Sequence, residues 1–156
     1  MIKKAKKSDI SWMVNLSHSK RESYSKIQKN FWKMAENSDE IQMKWFEELL
    51  EMQDIIALVA ENQKGFVIGK IITPPEVYDA GLTLMIDDFC VAHEDLWLTI
   101  GHDLIDKIKK IAASRNIKQI LLVCGAHDIS KKSLLKQLGL NVASQWYVGE
   151  LDNIAI

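Results

Sequence analysis

Apolar and polar positions along this chain follow two periods, one near two residues and one near three and a half, and the switches between them mark its elements. Residues 2–5 read as a short first strand. Ser8 and Asp9 then offer N-caps for a helix whose apolar positions Ile10, Met13, Val14 and Leu16 roughly keep helical spacing. Polar residues take over across 17–30 (SHSKRESYSKIQKN), a connector or a weak helix that ends at Phe31-Trp32. A second helix follows, with Asn37 as cap and Glu40 as its reciprocal partner. Its expected buried face is Ile41, Trp45, Leu49 and Met52, with Phe46 and Leu50 beside them. Residues 54–61 and 66–72 form a β-hairpin around the turn 62–65, in which Gly65 is expected to take positive φ. Gly69 inside the second strand marks a bulge, and Pro74-Pro75 ends it.

The second half opens with a strand over 82–91 that carries Asp87 and Asp88, then a polar turn, His93-Glu94-Asp95. A helix over about 99–114 presents Ile100, Leu104, Ile105, Ile108 and Ile111 on one side and Lys107, Lys109 and Lys110 on the other. Residues 117–124 (IKQILLVC) make a strand, parallel to 82–91 because a helix joins the two. A shorter helix over 130–138 stops at Gly139, a natural C′ residue, and 142–151 reads as a final strand. The order β-α-α-β-β-β-α-β-α-β predicts an α/β (α+β) fold in one domain over 1–156, a central mixed sheet with helices on both faces.

Composition narrows the partners. A length of 156 residues suits one core, and 47% hydrophobic with 26% charged residues is a globular mix. With 20 basic against 21 acidic residues and a net charge of -1, nothing draws the whole chain to nucleic acid or to a membrane surface, and neither is an expected partner. The basic cluster Lys3, Lys4, Lys6 and Lys7 reads as a solvated first strand and turn. No apolar run approaches the roughly 20 residues that span a bilayer, and the start lacks the apolar core of a signal peptide. Cys90 and Cys124 lie in apolar runs and read as buried thiols of a reducing cytoplasm. Cys124 has no base partner by spacing, and packing is its expected role. His18, His93, His102 and His127 lie in separate segments without ligand spacing, so no metal is expected.

The candidate chemistry sits in 86–104. A strand, a tight loop and a helix start in succession make a place to hold an anion, because the first helical turn presents unpaired N–H groups and partial positive charge. Asp87 and Asp88 alternate across the strand, so only one easily faces a cleft. The structural alternative for both is N–H pairing or a salt bridge at a strand irregularity.

These elements resemble the GNAT superfamily of acyl-CoA-dependent N-acyltransferases over essentially the whole chain. The segment Asp87-Asp88-Phe89-Cys90-Val91 is similar to the acidic strand of spermidine/spermine acetyltransferases. Phe31-Trp32 and Trp146-Tyr147 match some bacterial members of unassigned substrate. The family's loop motif, Arg/Gln-x-x-Gly-x-Gly/Ala, falls on Leu96, Trp97, Leu98, Thr99, Ile100 and Gly101, of which only Gly101 matches. The resemblance implies transfer of an acetyl group from acetyl-CoA to the primary amine of a small molecule or peptide. It implies that the main chain of Phe89, Cys90 and Val91 pairs with the pantetheine arm and that an amide near Val91 polarises the carbonyl. It implies pyrophosphate on the backbone of the loop, flanked by His102, with binding weaker than usual. Thr99 requires negative φ there, and its hydroxyl is free to cap the helix or to donate to phosphate. Asp87 takes the position of a base, or of a holder for a cationic amine. The family's tyrosine acid falls on Leu135, which leaves Tyr24 and Tyr147 as candidates, and its asparagine falls on Asp128. Lys131 or Lys132 is either a ligand of a CoA phosphate or part of a solvated helix start. Acceptor selectivity is expected in 18–32, and sheet edges with exposed aromatics make a homodimer an expected assembly. The competing expectation is a non-catalytic CoA-binding or interaction domain on the same fold.

Overall fold

One mixed sheet runs β1-β2-β3-β4-β5 in space as in sequence. The computed structural model describes residues 1–155. In it β1 (Ile2–Lys4) is followed by α1 (Ile10–Ile27) and α2 (Ser38–Glu51), then by β2 (Ile55–Ala60), β3 (Gly65–Ile72) and β4 (Thr83–Val91). The chain continues as α3 (His102–Ser114), β5 (Gln119–Leu122) and α4 (Ile129–Gln137). Strands β1 to β4 pair antiparallel, while β4 and β5, joined by α3, pair parallel as predicted.

Each face of the sheet carries its own core. On one face Leu104, Ile105, Ile108 and Ala112 of α3 pack with Val67, Leu84, Ile86, Phe89, Trp97 and Leu134. On the other, Met13 and Val14 of α1 and Phe46 and Leu49 of α2 pack with Val59, Phe66, Ile68 and Cys90. Phe66 meets Trp12 and Phe46 edge-on at 6.3 and 5.8 Å, tying both helices to β3. Gly139 ends α4 with φ 79°: its N–H bonds Lys136 O at 3.0 Å and that of Leu140 bonds Leu135 O at 2.9 Å, the two bonds of a Schellman cap.

Several expectations are corrected. Of the two readings for 17–30, the helix holds over 17–27, which form the second half of α1, and the connector begins only at Gln28. Ser17, Arg21 and Tyr24 recur at helical spacing toward the sheet, so the stripe is helical but polar and leaves no apolar periodicity. In α2 the buried residues are Phe46 and Leu49, while Ile41 and Trp45 face outward, and the Asn37 side chain makes no capping bond. In the hairpin turn the positive φ values fall on Asn62 (57°) and Gln63 (55°), not on Gly65. Glycine is required at 65 for another reason: a Cβ there would lie 2.8 Å from the Cys90 carbonyl oxygen. The strand expected over 142–151 does not form. After the Gly139 cap the chain runs outside the sheet, with Trp146 and Tyr147 88% and 91% exposed, and ends in a 3₁₀ turn at Leu151–Asn153. A strand needs a neighbouring edge to take its backbone hydrogen bonds, and this segment does not pair with the edge that β5 leaves open.

Candidate active site

The site begins where β4 and β5 part. Their last paired residues are Ile86 and Leu122, and the Val123 N–H donates to Ile86 O at 3.0 Å. Beyond this point β4 runs on to Val91, paired only with β3. The register shifts there: Asp88 lies opposite Ile68 and Ile86 opposite Gly69, so Asp87 is the unmatched residue of a bulge. A bulge bends its strand away from a neighbour. Gly69 permits it, since a Cβ would meet Leu84 Cδ1 at 2.7 Å. The result is a fork whose β4 side exposes main-chain groups of residues 87–91.

Side chains from both sheet faces converge on this fork. From the α3 side come Phe89 and Trp97, edge to face at 4.8 Å and 88°. From α1 come Ser17, against the Cys90 thiol, and Lys20, Arg21 and Tyr24. From α4 come Asp128 and Lys131. The Tyr24 hydroxyl donates to Asp128 Oδ2, which also accepts the Gly125 N–H at 3.1 Å. Tyr24 in turn stacks on Trp32 at 4.7 Å, so Phe31-Trp32 pins the connector to the fork. Burial and Asp128 push the phenol up, which keeps Tyr24 a neutral donor already committed to Asp128. Tyr147 lies in the exposed segment with its hydroxyl on Gln145 and lines no part of the fork.

Lys131 departs most from expectation. It is 1% exposed, not part of a solvated helix start, and its Nζ has no hydrogen-bond partner among the described residues. The ammonium lies 5.4 Å from the ring centroids of both Phe89 and Trp97. Burial, with repulsion from Lys20 behind it, pulls its pKa down to about 8. The neighbouring Lys132 takes the outward path, donating to Ala126 O at 2.7 Å.

The two acids of β4 differ in the same way. Asp87 is exposed, whereas Asp88 is partly covered and faces the α1 side. Burial raises the Asp88 carboxyl above the ordinary 3.8, against the opposing pull of Lys20. Across the mouth, Arg21 donates to Asp39 Oδ1 at 2.7 Å and to Gln42, and His18 Nδ1 sits 2.9 Å from the same Asp39 oxygen. This network holds α1 to α2 beside the fork.

The expected phosphate loop is helical throughout. A 3₁₀ turn at Glu94–Leu96 runs into a π-helical turn at Trp97–Gly101 and directly into α3. The N–H of Leu96 bonds His93 O at 3.0 Å, that of Trp97 bonds Glu94 O, and that of His102 bonds Thr99 O and Trp97 O. The Thr99 hydroxyl bonds back to Leu96 O at 3.4 Å. Gly101 has φ -59°, and a Cβ there would meet Trp97 Cε3 at 3.0 Å and Leu134 Cδ2 at 3.1 Å, so its small size serves packing. Trp97 points into the core, Ile100 packs against it, and Leu98 and His102 face outward. Glu94, Asp95 and Asp103 add negative charge around this helix start.

The structure thus brings Asp88, Phe89, Cys90, Trp97 and Lys131 together at one fork. Ser17, Lys20, Arg21, Tyr24 and Asp128 join them without having been marked as one site in the sequence. Their signals were separate: the polar stripe at helical spacing in α1 for Ser17, Lys20, Arg21 and Tyr24, the candidate-acid reading for Tyr24, and the family's asparagine position for Asp128. No cluster of His, Cys, Asp or Glu able to hold a metal occurs among the described residues.

A parallel strand pair that splits, with helices on both faces, defines the class: the chain has the GNAT fold. It superposes on the BH1408 protein of Bacillus halodurans, in a tetramutant form, with a TM-score of 0.83 and 17% identity over 97% of this chain and 99% of that one. It is similar to a predicted acetyltransferase of Clostridium acetobutylicum solved with acetyl-CoA, at TM-score 0.69 and 18% identity over 99% and 97%. It is also similar to the aminoglycoside N-acetyltransferase AAC(6')-Iy in complex with CoA, at TM-score 0.70 and 11% identity over 96% and 93%. No protein-family model and no curated protein sequence matches the chain, so the likeness is one of fold.

Proposed function

We propose that this protein is an N-acetyltransferase that moves an acetyl group from acetyl-CoA to a primary amine by direct attack. One observation carries the reading. The β4 edge from Asp87 to Val91 has no strand partner on the fork side, so it can pair with the amide groups of a pantetheine arm as with an added strand. The acetyl-CoA and CoA complexes among proteins of this fold support the same donor.

In this reading the amine enters from the α1 side, past the His18–Arg21–Asp39 network. Asp88 takes its proton, because a carboxylate whose pKa is raised by burial is the better base near neutral pH. This role passes from Asp87 to Asp88. The exposed Asp87 remains suited to holding a cationic acceptor. The amine nitrogen attacks the thioester carbon, an amide near Val91 polarises the carbonyl oxygen, the C–S bond breaks and the thiolate leaves. Lysine-free main chain lines the β4 side throughout, so affinity there depends little on side-chain identity.

The test is release of free thiol from acetyl-CoA in the presence of a panel of polyamines, amino acids, aminoglycosides and peptide amines. Amine-dependent release above the hydrolysis background is the expected result. Binding of acetyl-CoA without release for any amine would overturn the enzymatic reading in favour of the second one, a CoA-binding domain without turnover. A specific observation favours that second reading: the amides of Leu96, Trp97 and His102 are already bonded, and Glu94 and Asp95 add negative charge to the turn that precedes the loop. Free thiols at Cys90 and Cys124 and the lack, among the described residues, of a helix long and apolar enough to cross a membrane accord with the cytoplasmic setting we assign.

A further inference from the structure

We infer that the Lys131 ammonium is the catalytic acid of this site, delivering its proton to the sulfur as the acyl donor's C–S bond breaks. The inference rests on the acyl-transfer reading above. Lys131 is a fork residue of α4, not a surface one, and Lys132 beside it shows that the outward path was open. A buried ammonium with three N–H donors and no acceptor is an expensive arrangement, which folded proteins keep where a ligand completes it. The faces of Phe89 and Trp97 at 5.4 Å offset part of the charge, but an aromatic ring takes no proton.

Every charged or titratable neighbour leaves the ammonium unpaired. Lys20 on α1 repels it. Cys90 and Asp88 face it from β4, and Cys124 from the end of β5, yet none lies within bonding distance. Asp128, on its own helix, is already held by Tyr24 and Gly125. What the fork lacks is therefore an anion that arrives with the ligand. An arm paired along residues 87–91 would run past Phe89, whose ring centroid lies 5.4 Å from Nζ. In thioester aminolysis, negative charge develops on the leaving sulfur.

The proton balance closes. The C–N bond forms as the C–S bond breaks, the bonding pair stays on sulfur, and a Lys131 proton goes to it. Lys131 is left as a neutral amine, and the proton removed from the substrate amine rests on Asp88. Solvent exchange resets both groups. Lys131's acidity supports this role: at about 8 it lies near the ordinary thiol value of about 8.5, and matched acids transfer protons most effectively.

The experiment titrates the thiol of bound CoA by its ultraviolet thiolate absorbance, in the wild-type protein and in Lys131→Met. In the wild type the bound thiol should be at least about ten-fold more acidic than free CoA, and Lys131→Met should abolish that difference while leaving the affinity for CoA unchanged at pH values where the thiol is protonated. With a turned-over amine, kcat of the variant should fall about 100-fold and the alkaline limb of its pH profile should vanish, with KM for acetyl-CoA unchanged. A wild-type bound thiol that titrates like free CoA overturns the assignment while leaving acyl transfer standing, and needs no variant. Failure of the wild type to bind CoA at all overturns both.

Discussion

Lys131 and Asp88 are the two residues at which burial acts against charge, and each makes a stability prediction. The folded Lys131 holds its proton only below about 8, against the ordinary 10.5, so the unfolded chain binds more protons between those values. Stability from this group is complete above about 10.5 and is lost as pH falls to about 8. Lys131→Met should therefore raise the melting temperature at neutral pH, by an amount set by a penalty of roughly 3 kcal/mol, and should flatten the rise of stability across that window in thermal melts. Asp88 has the opposite sign. Its folded pKa lies above the ordinary 3.8, so its contribution is full below 3.8 and is lost as pH rises through the folded value. Asp88→Asn should remove that acid-side slope and lower kcat for amine-dependent thiol release about 100-fold, whereas Asp87→Asn should leave the slope and kcat nearly unchanged and raise KM for the amine. Equal loss of activity in the two variants would return the base to Asp87.

At the scale of elements, the N–H groups of Leu96, Trp97 and His102 bond within the segment from His93 to His102, and Gly101 is packed against Trp97 and Leu134. Gly101→Ala should therefore destabilise through overpacking against Trp97 and Leu134, by about 1–3 kcal/mol in denaturant unfolding, rather than through lost cofactor contact. A fall in acetyl-CoA affinity with unchanged stability would assign Gly101 to phosphate after all. Helix α1 is anchored to α4 by the Tyr24–Asp128 hydrogen bond. Tyr24→Phe leaves a half-buried carboxylate with one donor fewer, and should cost about 0.5–1.5 kcal/mol and loosen residues 28–32, read as faster amide exchange there. Unchanged exchange would show that the Trp32 stack alone holds the connector.

For the whole molecule, the edge of β5 away from β4 has no strand beside it, and the exposed segment after α4 carries Trp146, Tyr147 and Leu151. An open edge and unburied aromatics together favour association. We expect the mass in sedimentation equilibrium to rise with concentration, and a Trp146→Ser, Tyr147→Ser double variant to remain monomeric with its melting temperature unchanged. A wild-type monomer at all concentrations would refute this.

Local chemistry alone determined most of the architecture. Apolar runs of strand length at 54–61, 66–72 and 82–91, the helical spacing from Ile100 to Ile111 and the Gly139 stop are each encoded within a few residues, and each forms where expected. The joining helix also determined that β4 and β5 run parallel. Tertiary structure decided what depends on distant partners. It decided that 142–151 does not pair with the open edge of β5, that residues 17–27 are helical with a polar face turned inward, and that Asp87 is the odd residue of a bulge while Asp88 is partly covered. It decided above all that Lys131, which reads as a surface lysine at a helix start, ends between two aromatic rings at the fork. Hydrophobic pattern reports which side of an element is buried, but the desolvation of a single polar side chain depends on what other elements place around it, and no local spacing encodes that.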